Sequence, residues 1–307
     1  MIETWLQPLP HGIALSCRAA GERGRPVLLF LHGFPEAAFV WDPLLEHFAR
    51  PENGGYRCVA PNLRGYEQSS APGDVAAYRA KHLVQDIAAL IAIEAQGRPL
   101  ACLVAHDWGG AVAWNLANQL PQLSTKLAII NSPHPGTFLR ELKSNPKQQA
   151  ASAYMNFLIR PDAETLLKED DYRRLWDFFL NMGAGQNADG RGYGWLTDEV
   201  KARYRAVWNR GLTGGLNYYR ASPLRPPRAD DPAATNIELP REMLTIALPT
   251  LVLWGLGDTA LPPELIEGLD DYIPQLTLQR VPDATHWIVH EQPQLVITAL
   301  QAFLLQK

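Results

Sequence analysis

Asp107, Asp258 and His286 fall in that order along a chain of 307 residues, each soon after a short aliphatic run. The first lies in Ala105-His106-Asp107-Trp108-Gly109-Gly110, between the run Ala101–Ala105 and a helical segment opening near Ala111. A nucleophile on a sharp strand-to-helix turn needs small residues two before it and two and three after it, so that the chain can fold so tightly. Ala105, Gly109 and Gly110 meet that need, which puts Asp107 in the nucleophile position; no G-x-S-x-G occurs in the chain. The competing reading is an Asp that caps the following helix. A carboxylate nucleophile attacks an electrophilic sp³ carbon with a strained or good leaving group and forms an alkyl ester. It is ill suited to amides, where it would form a high-energy mixed anhydride.

Around it the sequence supplies partners. His32-Gly33-Phe34-Pro35-Glu36 follows the run Val27–Leu31, and the backbone N–H groups of Phe34 and Trp108 are candidates for an oxyanion hole that serves when the ester is hydrolysed. Trp254-Gly255-Leu256-Gly257-Asp258 ends a late run, and Val281-Pro282-Asp283-Ala284-Thr285-His286-Trp287 ends the last one. His286 is the expected base that activates water, with Asp258 fixing its tautomer and stabilising the imidazolium. Taken singly, Asp258 reads equally well as a turn residue and His286 as a cap. Phe34, Pro35, Trp108 and Trp287 are expected to wall the substrate pocket.

These residues need a scaffold that brings loop ends together. Val27–Leu31, Tyr56–Ala60, Ala101–Ala105, Leu127–Ile130, Thr250–Trp254 and Leu276–Val281 read as buried strands, and His82–Ala95 and Leu295–Leu304 as amphipathic helices between or after them. Strands alternating with helices imply an α/β fold with a mostly parallel sheet flanked by helices. The rhythm breaks after Ile130. Aromatic-rich helical pieces follow at Tyr154–Ile159, Tyr172–Asn181, Val200–Trp208 and Leu216–Arg220, and then a stretch with Pro223, Pro226, Pro227, Pro232 and Pro240 that sustains neither helix nor central strand. The expected organisation is a core in two parts, residues 1–135 and 241–307, with residues 136–240 inserted as a helical cap.

At 47% hydrophobic and 20% charged residues, the composition suits a globular protein with a large core. A net charge of -4 gives no reason to expect a nucleic-acid partner. No apolar run approaches the ~20 residues a membrane span needs, and the first residues lack the pattern of a targeting signal, so the expected location is cytoplasmic. Cys17, Cys58 and Cys102 show no C-x-x-C spacing and read as buried free thiols. His286 and His290 are four apart but lack the Glu of a zinc helix. Neither metal nor cofactor is expected.

Phe30–Glu36, Ala105–Gly110, Asp258 and His286 together resemble the epoxide hydrolases of the α/β-hydrolase fold, over essentially the whole chain. The resemblance implies hydrolysis of a small apolar epoxide by water to a vicinal diol, through an ester on Asp107. It also implies two roles in the insertion: Tyr154, in Ala153-Tyr154-Met155-Asn156-Phe157, and Tyr219, in Leu216-Asn217-Tyr218-Tyr219-Arg220, match the positions that donate to the epoxide oxygen. A phenol, with an ordinary pKa near 10, keeps its proton at neutral pH and can give a hydrogen bond to a developing alkoxide. Haloalkane and haloacetate dehalogenases share part of the pattern. Phe34 stands where the former commonly carry Asn or Glu, and Trp108 where fluoroacetate-type enzymes carry Arg; Ala37-Ala38 departs from the polar or aromatic pair frequent in epoxide hydrolases. A receptor that binds a small molecule on this scaffold without turning it over is the alternative from another class.

Overall fold

The computed structural model describes residues 1–184, 194–228, 231 and 236–306. One eight-stranded sheet runs through the molecule, in the order β1-β2-β4-β3-β5-β6-β7-β8. The strands are β1 Glu3–Pro8, β2 Ala14–Ala20, β3 Val27–Leu31, β4 Arg57–Pro61, β5 Cys102–His106, β6 Leu127–Ile130, β7 Thr250–Gly255 and β8 Leu276–Val281. From β4 to β8 all neighbours are parallel, whereas β2 pairs antiparallel with both β1 and β4. Every residue of β3, β4, β5, β6 and β7 is buried. That is why these strands read as unbroken aliphatic runs, since helices such as Ala80–Glu94, Trp108–Gln119 and Pro293–Leu305 cover the sheet. The fold is that of α/β hydrolases, and the six expected strands lie within a residue of their expected ends.

Two strands had no such signal. β1 alternates exposed and half-buried residues, and β2 carries Ser16 and Arg18 among its small apolar ones. β1, at the edge, buries only part of its surface, and β2, though mostly buried between β1 and β4, fills its buried positions largely with small residues, so neither shows a long aliphatic run. The Arg18 guanidinium is held by both carboxylate oxygens of Asp42 at 2.7 Å. Cys17, Cys58 and Cys102 are buried free thiols.

Between β6 and β7 the chain forms helices Pro135–Ser144, Pro146–Ala151, Tyr154–Leu158, Ala163–Phe179, Asp198–Trp208 and Thr213–Ala221. The helical pieces read from the sequence fall within this set, with one difference. The piece expected to begin at Tyr172 is the second half of a longer element, interrupted at Glu169–Tyr172 by non-helical backbone with positive φ at Asp170, Asp171 and Tyr172. Pro223, Pro226, Pro227 and Pro240 lie outside helices and strands; Pro232 lies outside the described residues. Ring contacts and a few polar ties join these helices to the sheet's loops. Trp208 Nε1 donates to the carbonyl of Pro35 at 2.8 Å, the Tyr204 hydroxyl to Glu36 at 2.8 Å, and Arg203 to Asp42 at 2.8 Å. No helix among the described residues is long and apolar enough to cross a membrane.

Candidate active site

A parallel sheet collects the loops at its strands' C-terminal ends on one side, where ligands of open α/β folds bind. Phe34 follows β3, Asp107 follows β5, Asp258 follows β7 and His286 follows β8. Four positions scattered over some 250 residues therefore converge on one end of the sheet.

Asp107 has φ +49° and ψ -124°, backbone that a side-chain-bearing residue adopts at a cost of about 1–3 kcal/mol. The neighbouring residues make this turn fit. At Gly109 a β-carbon would stand 2.5 Å from the carbonyl oxygen of Leu31, and at Gly33 it would collide with the Asp107 carboxylate itself. Ser132 Oγ donates to the Asp107 carbonyl at 2.7 Å and anchors the turn from β6. The side chain of Asp107 makes no cap hydrogen bond to the helix that follows, so helix capping does not account for it. Instead its Oδ1 accepts the backbone N–H of Phe34 at 2.7 Å. Trp108 opens the elbow helix, with its ring against Tyr219 at 5.0 Å.

His286 is buried, its Nδ1 2.7 Å from Asp258 Oδ2 and its Nε2 3.8 Å from Asp107 Oδ2. Burial pulls this imidazole towards neutrality, but the charge and hydrogen bond of Asp258, with the charge of Asp107, outweigh it and raise the pKa to about 9. Asp258 is itself held firmly. Its Oδ1 accepts the backbone N–H groups of Ala260 and Leu261 at 2.9 Å each, and its Oδ2 accepts Asn131 Nδ2 at 2.8 Å.

Asn131, which the sequence reading passed over, is the first residue after β6 and has φ +38°. Its other amide atom, Oδ1, accepts the Gly255 N–H at 2.8 Å, so one side chain ties β7's end to the acid that β7 delivers. A polar residue at the end of an aliphatic strand was the available signal. His106 and Glu36 were also given no role. The carbonyl of His286 can only accept, so His106 Nε2 donates to it, at 2.9 Å, while His106 Nδ1 lies 3.2 Å from Glu36 Oε2. Burial works against an ionised Glu36, yet His290 and His106 together hold its carboxyl well below the usual range. A buried polar layer thus underlies the histidine.

Above Asp107 a cavity of about 230 Å³ is lined by Trp108, Tyr154, Tyr219, Phe138, Met155 and Leu261, among others. Tyr154 and Tyr219 both face it, their ring centroids 6.2 Å apart. Burial, and the negative charge of Asp107, push both phenols above their ordinary pKa, so they remain protonated donors. Of the four expected wall residues only Trp108 lines this cavity. Phe34, Pro35 and Trp287 stand behind it for a packing reason. The Phe34 ring meets Tyr219 and Phe178 edge-on, Pro35 receives Trp208, and Trp287 is fully buried with its N–H donated to the Phe179 carbonyl at 3.1 Å. Among the described residues no group of three or more His, Cys, Asp or Glu side chains is arranged to hold a metal ion.

Comparison with known proteins agrees with this geometry. The α/β hydrolase fold family matches residues 26–293. Epoxide hydrolase 4 of Mus musculus is 32% identical over 299 residues, covering 95% of this chain and 77% of its own length. An AB hydrolase superfamily protein of Bacillus subtilis is 32% identical over 96% of this chain and 95% of its own. Among solved structures, a Bacillus megaterium epoxide hydrolase in complex with an inhibitor superposes with a TM-score of 0.86 at 28% identity, covering 98% of this chain and 100% of that one. One of the epoxide hydrolases from metagenomes of hot environments reaches 0.83 at 35% identity, with both chains covered completely. With its strand order, its elbow and these relatives, the chain belongs to the α/β-hydrolase fold family and stands there among proteins named epoxide hydrolases.

Proposed function

We propose that this protein hydrolyses epoxides to vicinal diols through an alkyl ester on Asp107. The observation that carries the reading is the pair of protonated phenols, Tyr154 and Tyr219, facing the same cavity as a carboxylate nucleophile. Breaking a carbon–oxygen bond leaves an alkoxide that must be stabilised and protonated, and positioned proton donors serve that step. Carbon–halogen cleavage needs no proton.

The two carboxylate oxygens take different parts. Oδ1 is engaged by the Phe34 N–H, so Oδ2, on the side of His286, attacks the epoxide carbon. The carbon–oxygen bond of the ring breaks, its electrons go to the epoxide oxygen, and a tyrosine proton follows. In the ester Oδ1 is the carbonyl oxygen. His286 removes a proton from water, the hydroxide adds to the carboxyl carbon, and charge grows on Oδ1, where the N–H groups of Phe34 and Trp108 receive it. Collapse releases the diol and restores the carboxylate, and the proton held by His286 returns to the tyrosinate. Alkylation also removes the Asp107 charge that helps raise the imidazole pKa, so His286 becomes a better supplier of a neutral base once the ester exists. Residues 136–240 act as the cap that carries both tyrosines, over a core made of residues 1–135 and 241–307.

A panel of epoxides assayed for diol, with haloalkanes and fluoroacetate assayed for halide, tests the reading. Diol formation from an epoxide, abolished in Asp107→Ala, is the expected result. Halide release faster than the opening of any epoxide would replace it with a dehalogenase, and saturable ligand binding without turnover of either class with a receptor.

A further inference from the structure

The cavity is lopsided about its nucleophile. Asp107, Trp108, Ala111, Val112 and Asn115 all line it, a spacing that puts them on one face of the elbow helix. From Asp107 to Asn115 that face runs about 12 Å, at 1.5 Å per residue. Leu83, Leu224, Leu239, Met243 and Leu244 supply other parts of the wall, and Met243 is 56% exposed, which marks an opening to solvent. Asn115 Nδ2 is already donated to the Ala111 carbonyl at 2.8 Å, so the helix face offers little to a charged group.

Another side of Asp107 is filled. Phe34 meets Tyr219 at 5.3 Å and Phe178 at 6.0 Å, and Tyr154 meets Phe178 at 5.2 Å, centroid to centroid and edge to face. These are contact distances for aromatic rings and leave no room between them. Behind them Phe179 packs on Trp287 at 4.4 Å. None of Phe34, Phe178, Phe179 and Trp287 belongs to the cavity wall.

Resting on the epoxide reading above, we propose that the substrates are terminal epoxides with a single extended apolar tail. The ring sits between Asp107 and the two tyrosines with its unsubstituted carbon towards the aromatic wall, and the tail runs along the elbow helix past Ala111 towards Met243. An internal epoxide must place carbon on both sides of the ring, and its second arm meets the packed rings. A tail charged along its length would lose its hydration against Leu83, Val112 and Leu244 with no opposite charge on that part of the wall to pair it.

The test compares the terminal epoxide of octane with a trans internal epoxide of the same chain, and with propene oxide. The wild-type protein is expected to favour the terminal isomer over the internal one at least tenfold in kcat/KM. Ala111→Leu keeps a good helix former but fills the channel halfway along. It should reduce the ratio of kcat/KM for octane's terminal epoxide over propene oxide by about tenfold or more, in the range that mismatched apolar pockets give. Ala111→Val takes its place if the leucine variant melts early. Equal rates for the two isomers, or an unchanged length ratio in a folded variant, would overturn the proposal. A second arm needs no chemistry: calorimetric affinities of unreactive n-alkyl amides should rise with chain length in the wild type and stop rising in Ala111→Leu. Length-dependent amide binding with no epoxide opened would sink the epoxide reading and leave the channel standing; amide affinities that ignore length and variant would sink the channel alone.

Discussion

Asp107 and Asp258, on the sheet side of the cavity, hang from backbone that is fixed by hydrogen bonds at short range. Asp107 takes Phe34's N–H on its carboxylate and Ser132's hydroxyl on its carbonyl; Asp258 takes two backbone N–H groups and Asn131. Tyr154 and Tyr219, on the helical side, are placed differently. Tyr154 packs on Phe178, and Tyr219 on Phe34 and Trp108, with hydroxyl contacts to each other and to Trp108. The helix of Tyr219 is tied down by Tyr218, which donates to the Arg64 carbonyl at 3.0 Å, and by Arg220, which clamps Glu164 of the helix Ala163–Phe179 at 2.6 and 2.8 Å. Hydrogen bonds fix direction to a fraction of an ångström, whereas ring packing fixes mainly distance and tolerates rotation. The difference suits the tasks. In the proposed reaction the nucleophile and its base hold one geometry through two steps, while the donors need only follow an oxygen that moves away as the ring opens.

Substitutions on each side break that contrast in graded ways. Asp107→Ala keeps the β-carbon and with it the backbone strain of the turn, so it should fold like the wild type and lose diol formation completely; intact-protein mass spectrometry should find no adduct. In His286→Gln the first step survives and the second fails, so the protein should gain the mass of one epoxide and keep it. Next come the donors. Tyr154→Phe and Tyr219→Phe should each slow alkylation, and together by roughly 10²–10⁴-fold, the usual range of positioned acid catalysis, in stopped-flow single turnovers. Phenylalanine keeps the ring contacts, so an unslowed double variant would reduce the tyrosines to packing.

Asn131→Ala touches the sheet side alone. It deletes a donor to a buried carboxylate and an acceptor for Gly255 N–H, and a hydrogen bond to a charged group is worth about 1.5–3 kcal/mol. A lowered Tm and a slower ester hydrolysis, with alkylation little changed, are the expected signs. The smallest effect is a titration. His286 should show a pKa near 9 by imidazole NMR in the resting protein, and a lower one in Asp107→Ala, which removes one of the charges that raise it. Because the folded value lies above the ~6.5 of a free imidazole, protonated His286 stabilises the fold fully below about pH 6.5, and that contribution is lost as pH rises through about 9. His32 and His134 run the other way. Burial lowers both to about 4, so their contribution is present above the free value and is lost as pH falls towards 4.

The same contrast explains what could be read in advance. Parallel strands buried on both faces must be aliphatic throughout, and a sharp strand-to-helix turn must be built from small residues, so β3 to β7 and the turn at Asp107 were legible as local patterns, whereas β8, expected to be buried, is a half-buried edge strand with Thr277, Gln279 and Arg280 in it. Asp258 and His286 were legible because strand ends deliver them in order. Tyr154 and Tyr219 came only from the resemblance, since nothing local separates them from Tyr172, which packs on Trp208, or Tyr218, which donates to the Arg64 carbonyl. Asn131 acts through residues more than a hundred positions away, and Phe34, Pro35 and Trp287 were placed on the wall because adjacency in sequence to a reactive group does not say which way a ring turns. β1 and β2 escaped because a hairpin at the sheet's margin keeps polar residues.

That hairpin also decides how the sheet ends. A strand with a neighbour on one side only presents free N–H and C=O groups to any other chain, a template for unwanted pairing. β1 carries Glu3 and Gln7 along this margin and finishes on Pro8, which has no N–H to offer. Glu3 is drawn against Arg57, and the guanidiniums of Arg57 and Arg23 lie over the Trp5 ring at 5.4 and 5.2 Å. Charge and ring are thus tied to the protein's own surface, and a second molecule approaching β1 would have to strip both away before its backbone could pair. The short amphipathic strand that gave the weakest signal thus guards one of the two edges of a highly aliphatic sheet, the other being β8.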